Sequence, residues 1–243
     1  LLLVAQLLRP SRATPNWRQR GSLALGGLLL GAHWLTFFIA VKIAGVGIAT
    51  LGFASFPAFT VLLEGLLFRE RTRAIEFAMV GLVCAGLLLV APAFDLSSGP
   101  TAGLLYGVLS GLLFALLSLL NRAVTPGLDP VRSALWQNLA ILAALLPFCW
   151  STIPAIPAQD WLWLALLGVL CTGLAHSLFV ASLRVLKART TSVIFALEPV
   201  YGIAFAWWLF GEQPTLRMLL GGALLGLAVM LSVFAGDRTR ASG

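Results

Sequence analysis

A carboxyl group followed directly by a proline, inside a long apolar run, is the pair with the most chemical promise in this chain: Glu198-Pro199 within residues 190–210. An ionisable side chain in hydrocarbon costs about 2.5–3.5 kcal/mol on insertion scales, so such residues mark function by default. Pro199 has no N–H, which frees a carbonyl beside the carboxyl and permits a bend. The pair suits proton coupling or direct contact with a transported solute. The plainer alternative is that Glu198 is a fixed hydrogen-bonding partner of a neighbouring helix.

His33 and His176 are the only histidines. Imidazole changes charge near neutral pH, so an intramembrane pair could serve a switch or a solute site; packed hydrogen bonders are the alternative. Tyr106, Ser110, Phe114 and Ser118 recur at four-residue steps and are followed by Asn121. Thr191, Glu198, Tyr201, Phe205 and Trp208 make a second stripe; Pro57, Thr60 and Glu64 make a third; Trp136, Gln137 and Asn138 add polarity to another run. Such faces could line a cavity for a small amphipathic or aromatic solute, or could equally turn their rings to lipid. Pro57 and Pro199 are the expected helix breaks, and Gly45 with Gly47 form a short hinge-like connection. Glu64, four residues from the end of its run, is expected to reach an interface as a solvated or Arg-paired carboxylate.

Other chemistries find no support. There is no GxxxxGK[ST] loop for ATP. Cys84, Cys149 and Cys171 lack metal-ligand spacing and read as small packing residues. No Lys or Arg lies at mid-depth of a run, so a phosphate-bearing solute is disfavoured. No catalytic residue, cofactor or metal is expected. A membrane enzyme acting on lipid would need polar groups clustered at one interface, whereas these are dispersed; a non-transporting scaffold subunit is a further alternative.

The elements that must carry these residues are membrane helices. The chain is 60% hydrophobic and 10% charged, a composition that furnishes a lipid-facing surface but not a water-facing one. Eight runs are long enough to cross a bilayer: 22–41, 46–68, 74–93, 101–120, 131–150, 161–183, 190–210 and 218–235. They lack the period-2 alternation of a barrel, so they predict an all-α, polytopic helix bundle. Threading them back and forth puts fourteen of the 16 Lys and Arg residues on one side, leaving Lys42 and Arg217 on the other. The positive-inside rule makes the first side cytoplasmic, with the C-terminus inside. The net charge of +7 then reflects topology and anionic headgroups rather than nucleic acid. Trp150, Trp161, Trp163, Trp207 and Trp208 fall at the outer interface as an aromatic belt. The bilayer and a small-molecule solute are the expected partners, with pairing of two copies left open. The excess of Arg over Lys points to a high-GC bacterial source, and the inner membrane of such a cell is then the expected location.

The chain also repeats itself. Residues 53–70, FASFPAFTVLLEGLLFRE, recur at a shift of 142 as 195–212, FALEPVYGIAFAWWLFGE. Upstream, Ala32-His33 matches Ala175-His176 at one more. The two copies run in opposite directions through the bilayer, an arrangement recurrent in secondary transporters. Residues 1–8 are apolar but too short to span, and the counterparts of 101–120 and 131–150 would precede residue 1. The expectation is therefore a ten-span protein of two five-helix halves, of which eight spans and the end of another are present. The first repeat covers 1–93, the second 101–235, and 236–243 form a cytoplasmic tail.

Leu197-Glu198-Pro199-Val200 with Trp208-Leu209-Phe210-Gly211-Glu212, and Phe56-Pro57-Ala58-Phe59 with Leu67-Phe68-Arg69-Glu70, resemble the EamA family of the drug/metabolite transporter superfamily. The resemblance covers essentially the whole chain. It implies a multi-pass carrier of small metabolites, commonly an exporter, working by alternating access. It leaves the substrate undefined.

Overall fold

The computed structural model describes residues 2, 15–69, 74–90, 98–125, 128–186, 191, 195 and 198–240. Their regular structure is entirely helical, as the apolar runs predict. The helices are α1 (Trp17–Phe53), α2 (Phe56–Phe68), α3 (Ala74–Val90), α4 (Gly99–Val124), α5 (Pro130–Cys149), α6 (Asp160–Leu166), α7 (Ala175–Ser182), α8 (Glu198–Phe210) and α9 (Leu216–Arg240). A π-helical stretch, Leu167–Leu174, joins α6 to α7. α1, α4, α5 and the combined Asp160–Ser182 segment are each long and apolar enough to cross a membrane. The cluster 70–73, part of the basic loop after α2, and the terminal 236–243 side chains lie outside what is described.

Local sequence sets the helix ends. Asn16 and Gln19 cap α1 reciprocally: the Gln19 N–H donates to Asn16 Oδ1, and the Asn16 N–H donates to Gln19 Oε1, each at 2.9 Å. Asp129 caps α5 by accepting from the Arg132 N–H at 2.9 Å, with Pro130 next to it where a missing N–H costs nothing. Two expected spans, 22–41 and 46–68, are divided differently in the structure. α1 runs from Trp17 through the first and into the start of the second, ending at Phe53 and bending at Gly45, whose φ of 81° and ψ of 168° suit only glycine. The chain then breaks at Ala54-Ser55, and Pro57 opens α2 in its first turn. The chain is thus bent at Gly45, and the junction of α1 and α2 falls just ahead of Pro57.

The chain packs as two units, one of residues Leu1–Gly31 with Leu120–Lys187, the other of Ala32–Leu119 with Ala188–Gly243. Each draws on both sequence halves. The second has a core of Leu51, Ala54, Ala58, Val61, Met79, Val83, Leu104 and Leu225, supplied by α1, α2, α3, α4 and α9. Glycines let backbones meet there: α3 and α9 approach at Gly86 and Gly221, α1 and α4 at Gly52 and Gly107. In the first unit, Gly27 of α1 lies against the Gln137 carbonyl and Ala140 of α5. The outside is apolar. Leu25, Leu28, Leu35 and Phe38 of α1 are exposed, as are Leu139, Leu142 and Leu145 of α5 and all five tryptophans of the expected belt. Buried positions hold Thr60, Glu64, Ser110, Ser118, Asn121, Ser133, Gln137 and His176. Buried polar groups beneath an apolar outer face fit a surrounding of lipid. The cysteines, expected to pack, are exposed instead.

Gly45 permits a direct test. Gly45→Ala places a Cβ 3.0 Å from both Glu212 carboxylate oxygens at a φ that L-residues avoid. The expected cost is about 1–3 kcal/mol, read as a lowered melting temperature of the purified protein in detergent. Gly81→Ala, whose Cβ would meet nothing within 4 Å, should leave the melting temperature unchanged.

Candidate solute-binding site

The two histidines lie in different units, and each is held by a side chain from a helix distant in sequence. In the second unit, His33 Nδ1 lies 2.7 Å from Ser110 Oγ and 3.2 Å from the Ser110 carbonyl. A carbonyl only accepts, so Nδ1 carries the proton; the Ser110 hydroxyl donates in turn to the His33 carbonyl at 3.1 Å. Neutral His33 therefore keeps Nε2 as its acceptor. The ring is wrapped by aromatics, with centroids 4.7 Å from Phe114, 5.2 Å from Phe53 and 6.3 Å from Phe37. Phe56 and Phe195 extend the cluster through Phe114 at 4.9 and 5.6 Å. An imidazole inside an aromatic wall leaves one hydrogen-bond acceptor amid ring faces.

α2 adds a polar face to the same unit. Pro57, Thr60 and Glu64 are all buried, and the Thr60 hydroxyl donates to the Phe56 carbonyl at 2.9 Å. Glu64 is 0% exposed, which overturns the solvated form of its reading and leaves the Arg-paired form standing. The spacing with Pro57 and Thr60 held the signal, because all three share one helical face.

In the first unit the π-helical stretch precedes α7, whose His176, Ser177, Phe179 and Val180 are buried although α6 buries nothing. His176 Nε2 lies 2.6 Å from Gln137 Oε1 of α5. Gln137 Nε2 donates to Asn121 Oδ1 of α4 at 2.5 Å. Since Gln137 presents its oxygen to the ring, His176 Nε2 carries the proton, and the relay runs from imidazole through Gln137 to Asn121. His176, Gln137 and Asn121 belong to three separate runs in the sequence, and only the fold joins them.

The remaining expected residues are not gathered with these. Tyr106 and Tyr201 are exposed; Trp136 is partly buried, with the Arg20 guanidinium 5.7 Å from its ring centroid. Glu198 is partly buried in the first turn of α8, and Pro199 beside it is buried.

Glu212 has a definite task that its motif alone did not reveal. Gly211, at φ 68°, ends α8 and lets the Glu212 N–H fold back onto the Ala206 carbonyl at 3.1 Å. The Glu212 carboxylate then accepts from the Val46 N–H at 3.0 Å and the Gly47 N–H at 3.2 Å, directly after the Gly45 bend. A carboxylate on freshly exposed helix N–H groups is favourable both as a cap and against the helix dipole. Gly211-Glu212 thus works as a clip on the hinge of α1.

Comparison with known proteins adds identity of type. A family model described as the EamA-like transporter family matches residues 1–91 and 101–234. An uncharacterized transporter of Bacillus subtilis is 25% identical over 226 residues, covering 90% of this chain and 72% of that one. An uncharacterized transporter of Pseudomonas aeruginosa is 30% identical over 223 residues, with the same shares. A probable terminal-alkyne amino-acid exporter of Streptantibioticus cattleyicolor is 31% identical, over 76% of this chain and 63% of that protein. A solved crystal structure shares the fold at a TM-score of 0.70 and 20% identity, covering 96% of this chain and 83% of its own.

Proposed function

The chain belongs to the EamA-like transporter family, and from that premise we propose a secondary carrier of the bacterial inner membrane that exports amino acids or related amphipathic solutes by alternating access. That membership makes it a multi-pass membrane protein and a transporter rather than an enzyme. The finer reading has two five-helix halves inserted in opposite senses, ten spans in all, and a cytoplasmic C-terminus. His33, Ser110 and Phe114 contact the solute in one unit, His176 and Gln137 in the other, with Thr60, Tyr106, Trp136 and Tyr201 on its route. Pro57 and Pro199 supply the breaks that let helices bend, and Glu198 couples transport to protons.

The observation that carries this reading is the sealing of hydrogen-bonded histidines inside helices whose outer faces are apolar. Polar groups placed there at a desolvation cost are retained for a task. The amino-acid exporter among the similar proteins supports the solute class. Counterflow of a radiolabelled amino-acid panel in proteoliposomes of the full-length protein, with and without a pH gradient, tests it. Saturable exchange of at least one solute is the expected result; exchange no faster than in empty liposomes would remove the carrier function.

Glu198→Gln fixes the side chain neutral while keeping its size. The variant is expected to exchange solute yet lose acceleration by a pH gradient. Full gradient dependence in the variant would take the proton role away from Glu198.

A further inference from the structure

The relay in the first unit ends on groups with nothing to bind. Gln137 donates to Asn121 Oδ1, so Asn121 must turn its Nδ2 away from Gln137, and that Nδ2 has no hydrogen-bond partner among the described residues although Asn121 is 1% exposed. Asn121 is pinned: its carbonyl accepts from the Thr125 hydroxyl at 2.7 Å and from the Thr125 N–H at 2.9 Å. Ser133 lies one helical turn before Gln137 on α5, on the same face, and its hydroxyl is likewise buried and unpartnered. Unmade hydrogen bonds in a dry interior are costly, and one on the amide bonded to Gln137 with another one helical turn before Gln137 ask for a common explanation.

We propose that Asn121 Nδ2 and Ser133 Oγ form a solute subsite that donates two hydrogen bonds to an uncharged carbonyl oxygen. The polarity follows from the relay. His176 donates to Gln137, Gln137 donates to Asn121, and the free end is therefore an N–H donor that recognises an acceptor. The charge state follows from composition. Asn121, Ser133, Gln137 and His176 are themselves uncharged, although Arg122 and Arg132 adjoin two of them in the chain, and a carbonyl of an amide or ester needs no balancing charge from the two donors. Both groups are closed from solvent here, so the solute engages them in the form of the carrier that opens this cluster. The inference rests on the carrier reading and names which part of the solute is read.

The test uses full-length protein and a matched pair of probes, L-phenylalaninamide, which bears a carbonyl, and phenethylamine, which does not. Binding is read by ligand-dependent melting shift, beside counterflow of the amino-acid panel. Wild type is expected to bind the amide at least tenfold more tightly than the amine. Ser133→Ala and Asn121→Asp should each weaken amide binding about tenfold, the value of one hydrogen bond, and leave the amine unchanged. Ser133→Ala should also melt at or above the wild-type temperature without ligand, because it deletes an unpaired hydroxyl rather than a bonded one; a purely structural serine would lower it. Equal affinity for both probes, preference for the amine, binding of neither, or a destabilised Ser133→Ala that still discriminates would each overturn the subsite. If counterflow persists under any of those results, the subsite fails and the carrier stands; if counterflow is absent for every solute, the carrier reading itself fails.

Discussion

Gly107→Leu is expected to lower the melting temperature of the detergent-solubilised protein by about 6–12 °C, corresponding to about 3 kcal/mol. A Cβ on Gly107 would sit 2.8 Å from the Ala49 carbonyl oxygen and 3.0 Å from the Gly52 Cα; one on Gly52 would sit 2.7 Å from the Leu104 carbonyl and 2.9 Å from the Gly107 Cα. These neighbours are backbone, so no rotamer change relieves the overlap. The helices must separate instead. In lipid that loss is not recovered elsewhere, because helix association there depends on close packing rather than on expelling water. The same contact positions Ser110, one turn further along α4, against His33, so transport should fall with stability. Gly81→Leu controls for adding bulk, since nothing lies within 4 Å of that position. Equal melting temperatures for the two variants would contradict the close approach.

The second large effect is expected at Gln137. Leucine has nearly its volume but no polar atoms, so Gln137→Leu strands the His176 Nε2–H and Asn121 Oδ1 together. Two interhelical hydrogen bonds and two newly orphaned groups amount to about 2–4 kcal/mol. Solute exchange should fall to background, because the histidine loses the partner that fixes its ring and proton. Gln137→Glu separates the two consequences. It keeps an acceptor for His176 while removing the donor to Asn121, and should recover stability in part. Melting of Gln137→Leu at the wild-type temperature would contradict the relay.

Much of the fold was legible because the bilayer imposes simple demands. Run length, the rarity of charge and the placement of Arg fix a helical membrane protein before any coordinate is known. Glycine and proline chemistry located the bend at Gly45 and the break before Pro57. The site was less legible, and the reason is geometric. A four-residue step overshoots a helical turn by roughly 40°, so Tyr106, Ser110, Phe114 and Ser118 drift around α4. Tyr106 ends exposed while the other three are buried. On α8 the rings of Tyr201, Phe205 and Trp208 likewise face outward. Glu64 was placed by its depth along a helix, which says nothing about which face is sealed. Glu212 was visible as a motif, but its partners lie 166 and 165 positions away, and no local pattern encodes such a contact.

Two similar halves inserted in opposite senses require the basic connections expected at 69–73 and 184–189 to share one side of the membrane. Thr72→Cys and Ala188→Cys, each introduced after replacing Cys84, Cys149 and Cys171, place a label in those loops without disturbing their basic residues. With a membrane-impermeant maleimide, both are expected to stay unlabelled in intact cells and to react once the cytoplasmic face is opened. Labelling of one position, but not the other, in intact cells would contradict the inverted arrangement and the alternating-access carrier built on it.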